Sequence, residues 1–159
     1  MLVIRPGTRE DVPLLRTMIR ELAEFERELE FCVIEEQDLE RDGFGANPKF
    51  KALIAEWDGR SCGYAVYFGY YSTWIGSGLY LEDLFVRQEF RGKGIGMALL
   101  SYVAKTAVQQ DGKFLRWEVL GWNENAIELY KSLGAEFRDE WKSVFLMGDV
   151  FQRLAGRSS

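Results

Sequence analysis

The chain has no histidine among its 159 residues. Sites that pair a serine or cysteine nucleophile with histidine are therefore excluded, as are metal sites that depend on imidazole. Any general base has to be a carboxylate, a tyrosine, a lysine or a water molecule relayed by one of them. The two cysteines, Cys32 and Cys62, lack the close spacing of a metal or redox motif. Neither a metal site nor a disulfide framework is predicted.

Positive charge and long apolar runs are also scarce. The chain has 20 Lys and Arg against 25 Asp and Glu, which gives a net charge of −5. This balance argues against nucleic-acid binding, which usually needs a basic face. No apolar run approaches the length of a membrane span, and the N-terminal segment has no signal-peptide core. We therefore expect a cytoplasmic protein without a membrane partner, folded as one domain over residues 1–159.

The most informative segment is an apolar strand that leads into a glycine-rich turn and then into an apolar-faced helix. The strand covers residues 80–86, the helix covers residues 94–110, and the turn contains Gly92, Gly94 and Gly96. Such a junction directs free backbone N–H groups and the positive end of a helix dipole at one point, which suits a phosphate. Glycine has no Cβ, so a ligand can approach the backbone closely. The segment predicts an anion-binding loop.

The residues of this turn discriminate between known phosphate-binding loops. A P-loop would have Ser or Thr after Lys93, where Gly94 stands, and a dinucleotide fingerprint would have its third glycine where Met97 stands. A turn that binds no ligand is the alternative that this segment alone leaves open. The pattern Arg-x-x-Gly-x-Gly from Arg91, after a strand carrying Glu-Asp, resembles the coenzyme A pyrophosphate loop of the GNAT superfamily of N-acetyltransferases.

A second segment, residues 122–135, predicts a strand end, a capped helix over residues 125–133 and a stop at Gly134. Taken alone, Tyr130 in this helix could simply be a half-buried core tyrosine. The pattern Asn-x-x-Ala-x-x-Leu-Tyr-Lys-x-x-Gly-Ala, from Asn123, is similar to the second coenzyme A motif of the same superfamily. Two motifs in this order and separation are more specific than either alone, so the chain is identified as a member of the GNAT superfamily.

The remaining pattern predicts a mixed α/β class, an α+β mixed sheet with helices on both faces. Further strands are expected at residues 2–5, 50–56, 63–71, 115–120 and 143–147, and further helices at residues 35–41 and 150–154. A first helix, capped at Thr8, has the apolar stripe Val12, Leu15, Ile19, Leu22 and Phe25. The resemblance implies the GNAT fold, a mostly antiparallel central sheet whose two central strands splay apart near Val86 and Leu120 to admit the cofactor's pantetheine arm.

A closer resemblance extends over residues 3–149. Its motifs are Glu40-Arg41-Asp42-Gly43-Phe44-Gly45, Trp74-Ile75-Gly76, Tyr80-Leu81-Glu82-Asp83 and Trp122-Asn123-Glu124. They resemble the diamine acetyltransferases, the spermidine/spermine and thialysine N-acetyltransferase group. This resemblance implies a cytoplasmic homodimer that moves acetyl from acetyl-CoA, without a metal, to a primary amine of a diamine, polyamine or thialysine-like amino acid. The amine would attack directly in a ternary complex.

Glu82 and Asp83 interrupt an otherwise apolar strand, where charges are costly unless they are paired or functional. Regular alternation predicts that the two carboxylates face opposite sides of the sheet. For either residue alone, a carboxylate merely satisfied by a neighbouring helix is the alternative. The resemblance implies that Glu82 accepts the proton of the amine and that Asp83 lies with it in the substrate site.

The resemblance also implies roles for other residues. Tyr130 would protonate the leaving thiolate, Glu26 would anchor the distal ammonium, and Trp74 and Trp141 would line the amine channel. The backbone N–H of Val86 would meet the oxyanion. The cofactor set that it implies is Leu84, Phe85, Val86, Arg91, Gly92, Lys93, Gly94, Ile95, Gly96, Met97, Asn123 and Tyr130.

One residue departs from the group's pattern. Ser72 stands where the group has a polyamine-binding aspartate before Pro-Trp, and losing a carboxylate weakens the case for long polyamines. Two other functions stay open. The acidic segment of residues 24–38 would also suit a basic peptide, as in a protein or peptide N-acetyltransferase. A non-catalytic acyl-CoA-binding module would tolerate the loss of Glu82 and Tyr130, yet both are present.

Overall fold

The computed structural model describes residues 1–157, in which the chain forms two compact units, Met1–Leu120 and the residues from Gly121 onward. The first unit contains a five-stranded sheet in the order β1-β2-β3-β4-β5. All neighbouring strands are antiparallel except β4 and β5, which are parallel. The predicted mixed, mostly antiparallel sheet is confirmed. Its strands are β1 (Leu2–Pro6), β2 (Lys51–Trp57), β3 (Arg60–Ser72), β4 (Gly76–Val86) and β5 (Leu115–Arg116).

Two helices of this unit, α1 (Val12–Phe25) and α2 (Glu36–Phe44), follow β1 in the chain. The apolar face of α1 packs on one side of the sheet, where its buried residues form a cluster with strand side chains: Leu15, Met18, Leu22, Ala52, Ile54, Tyr64, Val66 and Phe85. The apolar stripe of the first helix predicted that Ile19 and Phe25 belong to this core. Instead Met18 is fully buried, Ile19 packs at the edge of the cluster, and Phe25 is exposed at the helix end.

The helix α3 (Ile95–Gln109) packs on the opposite side of the sheet. Because side chains alternate along a strand, Leu53 faces away from the α1 cluster that contains its neighbour Ile54, and both are fully buried. The hydroxyl group of Tyr67 in β3 has Thr106 of α3 as a neighbour. Helices therefore cover both faces of the sheet, as predicted.

The pairing of β4 with β5 is short, because it joins only Leu79 to Leu115 and Tyr80 to Arg116. Beyond Tyr80, β4 pairs only with β3 in the described part of the chain. The strand predicted over residues 115–120 is thus shorter than expected, because ladder bonds stop where two backbones diverge. This divergence is the splaying predicted for the central strands.

The second unit contains the helices α4 (Glu124–Ser132) and α5 (Gly148–Ala155). Gly134, just beyond α4, has a φ of +81°, which is the left-handed stop that the sequence predicts. The prediction of a strand at residues 143–147 is wrong, because this segment pairs with no other strand among the described residues. A strand needs a neighbour's backbone groups, which an apolar pattern alone does not supply. In the described chain, no helix combines the length and apolar composition that crossing a bilayer requires.

Candidate active site

The end of β4 presents a backbone donor toward the open side of the sheet. Val86 lies opposite Gly63, and the next N–H, that of Arg87, donates to the carbonyl of Cys62 at 2.9 Å. In an antiparallel ladder, such a bond lies beside a non-hydrogen-bonded pair, here Gly63 and Val86. The N–H groups of a non-hydrogen-bonded pair point away from the opposite strand. The N–H of Val86 therefore points away from β3, and so does that of Leu84 two residues earlier. A donor in this position can stabilise negative charge on a carbonyl oxygen.

The glycine-rich turn leaves open space beside the N-terminus of α3. Gly92 and Gly94 both have a φ of +76°, and a Cβ added at either position would meet nothing within 4 Å. Gly94 is the N-cap of α3, whose first-turn N–H groups have no partner within the helix. A Cβ at Gly96 would lie 3.7 Å from Cγ2 of Val86, which places this helix start beside the end of β4. Open backbone at a helix N-terminus fits the pyrophosphate of coenzyme A.

The basic side chains of the turn are each held against the protein. Arg91 Nε donates to the carbonyl of Val86 at 2.9 Å, and its guanidinium carbon lies 4.5 Å from the centroid of the Phe25 ring. The ammonium nitrogen of Lys93 lies 5.2 Å from the ring centroid of Trp57. Arg91 therefore joins the glycine turn, the end of β4 and the C-terminal end of α1. Both cations keep positive charge at the turn, as the sequence predicts.

Two members of the predicted cofactor set in the first unit have buried side chains. Phe85 packs against Tyr64 in the α1 cluster, with ring centroids 6.1 Å apart, and Ile95 is fully buried. Only the backbone groups of these two residues can contact a cofactor. The turn residues from Arg91 to Gly94 are exposed, and Gly96 and Met97 are half-buried.

Glu82 lies in a β-bulge. Asp83 pairs with Val66 and the residue before Glu82 pairs with Tyr67, so Glu82 has no residue opposite it in β3. A bulge interrupts the regular alternation of side chains on which the expectation of opposite faces for Glu82 and Asp83 was based. Both carboxylates have Glu26, at the end of α1, as a charged neighbour.

Five carboxylates of the first unit form an acidic cluster: Glu26, Glu28, Glu82, Asp83 and Glu118. Burial, and then the charge of Glu118, raise the pKa of Glu82. Burial, followed by the charges of Glu28 and Glu82, raises the pKa of Glu26. Burial raises the pKa of Asp83 to about 6, although the Tyr64 hydroxyl donates to its Oδ2 at 2.9 Å. Neighbouring carboxylates repel one another, and binding of a cation relieves this repulsion.

Glu118 was not among the predicted site residues. Burial and the charge of Glu118 raise the pKa of Tyr80, a neighbour of Glu82 in β4, to about 12. The sequence contained a signal for it, because Glu118 interrupts the apolar run predicted as the strand of residues 115–120. Glu82 interrupts β4 in the same way, and Glu82 was recognised through its motif.

Trp74 is not brought to the acidic cluster within one chain. It lies in the turn between β3 and β4, with 87% of its surface exposed. Six residues separate the start of β4 at Gly76 from Glu82, which corresponds to about 20 Å at about 3.3 Å per residue.

The second unit holds the other predicted residues. Asn123 is the N-cap of α4, and its Oδ1 accepts a hydrogen bond from the N–H of Ala126 at 3.4 Å. Tyr130 is buried in the same helix, and Trp141 is exposed. A capped helix start with a tyrosine two turns further on agrees with the motif that the sequence predicts.

The described residues contain no group of three or more His, Cys, Asp or Glu side chains arranged to hold a metal ion. Cys62 is fully buried, and its Sγ donates to the carbonyl of Ala55 at 3.3 Å. Burial raises the pKa of this thiol, which suppresses the thiolate that a nucleophile requires.

Comparisons with known proteins agree with this geometry. Residues 16–135 match the family model described as the acetyltransferase (GNAT) family. The chain is 40% identical over 166 residues to a thialysine N-epsilon-acetyltransferase of Sus scrofa, a match that covers 98% of each chain. It is 37% identical over 139 residues to the spermidine/spermine N(1)-acetyltransferase-like protein 1 of Homo sapiens, covering 83% of this chain and 20% of that one.

Among solved structures, an integron cassette protein from the mobile metagenome of V. cholerae superposes with a TM-score of 0.80 at 26% identity. This match covers 99% of the present chain and 98% of the other. The architecture of strands and helices is therefore shared over nearly the whole length of both proteins.

Proposed function

The chain belongs to the GNAT family of acetyltransferases, and we propose that it transfers the acetyl group of acetyl-CoA to a primary amine of a small cationic molecule. The acidic cluster beside the divergence of β4 and β5 carries this proposal, because it matches a substrate with more than one positive charge. Relatives named for acetylating thialysine and L-ornithine support the same class of substrate. A diamine, a polyamine or a thialysine-like amino acid fits.

Glu82 is the general base in this proposal. An alkylammonium has a pKa near 10.4, so it is almost entirely protonated and unreactive at neutral pH. Glu82 is accessible in its bulge and partly desolvated, so it binds the ammonium and then takes its proton, directly or through water. Glu26 anchors the second cationic end of the substrate.

The glycine turn and the end of β4 hold the co-substrate. The first-turn N–H groups of α3, with Arg91 and Lys93, bind the pyrophosphate, and the N–H groups of Leu84 and Val86 face the pantetheine arm and the reacting carbonyl. Asn123 contacts the arm as well. Acetyl-CoA supplies an acetyl group already activated as a thioester.

Two further features complete the chemistry. Tyr130 donates the proton that the leaving thiolate requires. The amine attacks the acetyl group directly in a ternary complex, because the buried, hydrogen-bonded Cys62 is a poor nucleophile and the chain has no histidine to activate Cys32.

The active form in this proposal is a cytoplasmic homodimer. Trp74 lies before the start of β4 at Gly76, which is itself about 20 Å from Glu82 at a rise of about 3.3 Å per residue, so its expected part in the amine channel requires a second copy of the chain. Light scattering of the purified protein tests the dimer.

One screen tests the proposed function. The protein is incubated with acetyl-CoA and, in separate reactions, diamines, spermidine, spermine, lysine, thialysine, ornithine or a basic peptide, and free CoA is measured. We expect CoA release with the small amines and little with the peptide. Preferred release with the peptide would indicate a peptide N-acetyltransferase, and acetyl-CoA binding without release would indicate a non-catalytic module.

A further inference from the structure

The last residues of β4 are held in the sheet from one side only. Beyond Tyr80 the paired neighbour of β4 is β3, and the bulge at Glu82 interrupts that pairing as well. The N–H of Val86 points away from β3, so it contributes nothing to holding the strand end in place. An oxyanion donor must nevertheless lie within a few tenths of an ångström of its working position. Some other contact has to fix it.

Arg87, the residue after Val86, supplies four such contacts. Its Nε and Nη2 donate to the two carboxylate oxygens of Glu21 at 2.8 and 2.9 Å, which makes a bidentate ion pair with α1. Its Nη1 donates to the carbonyl of Ser61 at 2.9 Å, and its backbone N–H donates to the carbonyl of Cys62 at 2.9 Å. The end of β4 is thereby tied to both β3 and α1.

The Arg87–Glu21 pair is sheltered, with side-chain exposures of 23% and 34%. Charge-assisted, two-point hydrogen bonds of this kind restrict orientation as well as distance. The same helix α1 ends next to Glu26 and carries Phe25, against which Arg91 stacks. One ion pair therefore fixes the strand end that offers the Val86 N–H relative to the helix that offers the substrate carboxylate.

We propose that Arg87 is a positioning residue for acetyl transfer. Its ion pair with Glu21 holds the Val86 N–H in a fixed position relative to α1. The inference rests on the proposed function, in which that N–H stabilises the transition state. Arg87 itself touches neither substrate in this account. Its loss should lower kcat more than it changes substrate binding.

The test compares Arg87→Gln, Glu21→Gln and the double variant with the parent enzyme. We expect kcat to fall by about 10-fold or more in Arg87→Gln, while the KM of the amine and the Kd of acetyl-CoA change less than about 3-fold. Arg87→Lys keeps the charge without the two-point geometry and should restore only part of kcat. The double variant should be no slower than Arg87→Gln, because both changes break one unit.

Arg5→Gln is the matched control. Arg5 makes a bidentate pair with Asp11, at 2.7 and 2.9 Å, and two hydrogen bonds to Glu56, at 2.9 and 3.1 Å, and its side chain is 35% exposed. This network joins β1, at the far edge of the sheet, to the start of α1. Arg5→Gln should lower the melting temperature at least as much as Arg87→Gln does and leave kcat within about 2-fold of the parent.

Equal losses of kcat in Arg5→Gln and Arg87→Gln, or a parental kcat in Arg87→Gln, would overturn the proposal. If Arg87→Gln does not fold, the isosteric Glu21→Gln decides by the same criteria. Hydrogen exchange at the Arg87 amide in the enzyme without substrates is a readout independent of activity. It should be faster in Glu21→Gln than in the parent and in Arg5→Gln, and unchanged exchange would overturn the anchoring. A parent that acetylates no amine would instead contradict the proposed function.

Discussion

Glu82 and Asp83 are adjacent in β4, and their surroundings suit them to different roles in the proposed mechanism. Asp83 is more deeply buried, and its Oδ2 accepts a hydrogen bond from the buried hydroxyl of Tyr64. Glu82 lies in the bulge, where it is exposed and has Glu118 as its charged neighbour. A base that takes a proton from a diffusing amine must be reachable, so Glu82 is suited to the chemistry. Asp83 supplies negative charge behind it.

Glu82→Gln should lower turnover at neutral pH and recover partly at alkaline pH, where more of the amine is already unprotonated. In the parent, burial and then the charge of Glu118 raise the pKa of Glu82, so Glu82 loses its proton at a higher pH than an isolated glutamate does. Glu118→Gln should therefore shift the acidic limb of the profile of kcat/KM against pH to lower pH. The profile is measured by CoA release with one amine. An acidic limb that stays in place in both variants would contradict Glu82 as the base.

Tyr130→Phe removes one hydroxyl and keeps the buried ring. We expect the fold and the affinity for acetyl-CoA to persist, while kcat falls by about 10²- to 10⁴-fold, the usual contribution of general acid catalysis. Circular dichroism, calorimetric titration and steady-state kinetics measure the three quantities. Parental turnover in Tyr130→Phe would remove this residue from the mechanism without affecting the binding site.

Asp83→Asn tests how much stability the buried carboxylate costs. The folded-state pKa of Asp83 is about 6, above its ordinary value of 3.8. The folded protein thus binds this proton more tightly than the unfolded chain, so stability is lost as the pH rises from about 4 to about 6. Asn stays neutral and can still accept from Tyr64. Urea unfolding should show that the free energy of unfolding of the variant exceeds that of the parent by more at pH 7.5 than at pH 4.5. The excess at pH 7.5 should be larger by on the order of 1–2 kcal/mol. A gain independent of pH would contradict the raised pKa.

At the scale of elements, the features that depend on neighbouring residues could be predicted from the sequence. The glycine turn before α3, the capped start of α4 and the stop at Gly134 are local, and the structure has all three, with the cap of α4 at Asn123. The bulge at Glu82 could not be predicted, since it depends on the register between β3 and β4.

The ends of the strands depend on partners in the same way. The strand β5 stops at Arg116, four residues earlier than its apolar pattern suggests, because its neighbour β4 diverges there. Glu118, just beyond that point, was missed for the same reason: the contacts that give it significance join β4 to a segment far along the chain. Its interruption of the apolar run was the one local signal, and that signal does not say which distant residues Glu118 meets.

Gly94→Leu tests the turn as an anion site. A side chain at Gly94 would fill the open space beside α3 and also strain a backbone with a φ of +76°. Gly59 has the same φ of +76° and equally open surroundings, in the turn between β2 and β3, so Gly59→Leu reproduces the strain alone. Both variants should lose similar stability, on the order of 1–2 kcal/mol. Only Gly94→Leu should weaken acetyl-CoA binding, by about 10-fold or more, in calorimetric titration. Equal affinities in the two variants would exclude the turn as the site.

At the scale of the whole molecule, the chain carries an excess of negative charge, and the acidic cluster is part of it. The net charge is −5, and the acidic cluster gathers carboxylates from the end of α1, from β4 and from the segment after β5. In the proposed mechanism, a cation attracted by the protein as a whole binds at this cluster. The length of the best substrate then depends on how far a second carboxylate lies from Glu82.

Ser72 is the residue that we expect to limit this length, because it stands where the diamine acetyltransferases have a polyamine-binding aspartate. The parent should therefore show higher kcat/KM with thialysine-like amino acids or short diamines than with spermidine or spermine. Ser72→Asp should improve the polyamines selectively, mainly through a lower KM. The substitution suits the turn, because the Ser72 hydroxyl already accepts a hydrogen bond from the N–H of Trp74 at 3.3 Å and an aspartate can do the same.

Ser72→Asn is the control for this experiment, since it keeps the size and the turn hydrogen bond of aspartate without its charge. A gain for spermine in Ser72→Asp that is absent in Ser72→Asn assigns the effect to the carboxylate. Competition kinetics with spermine and a short diamine in one reaction measures the ratio of kcat/KM directly. Because polyamine binding depends on charge, the gain should also shrink as salt is added. A parent that already prefers spermine, with neither variant changing that preference, would show that position 72 does not set substrate length.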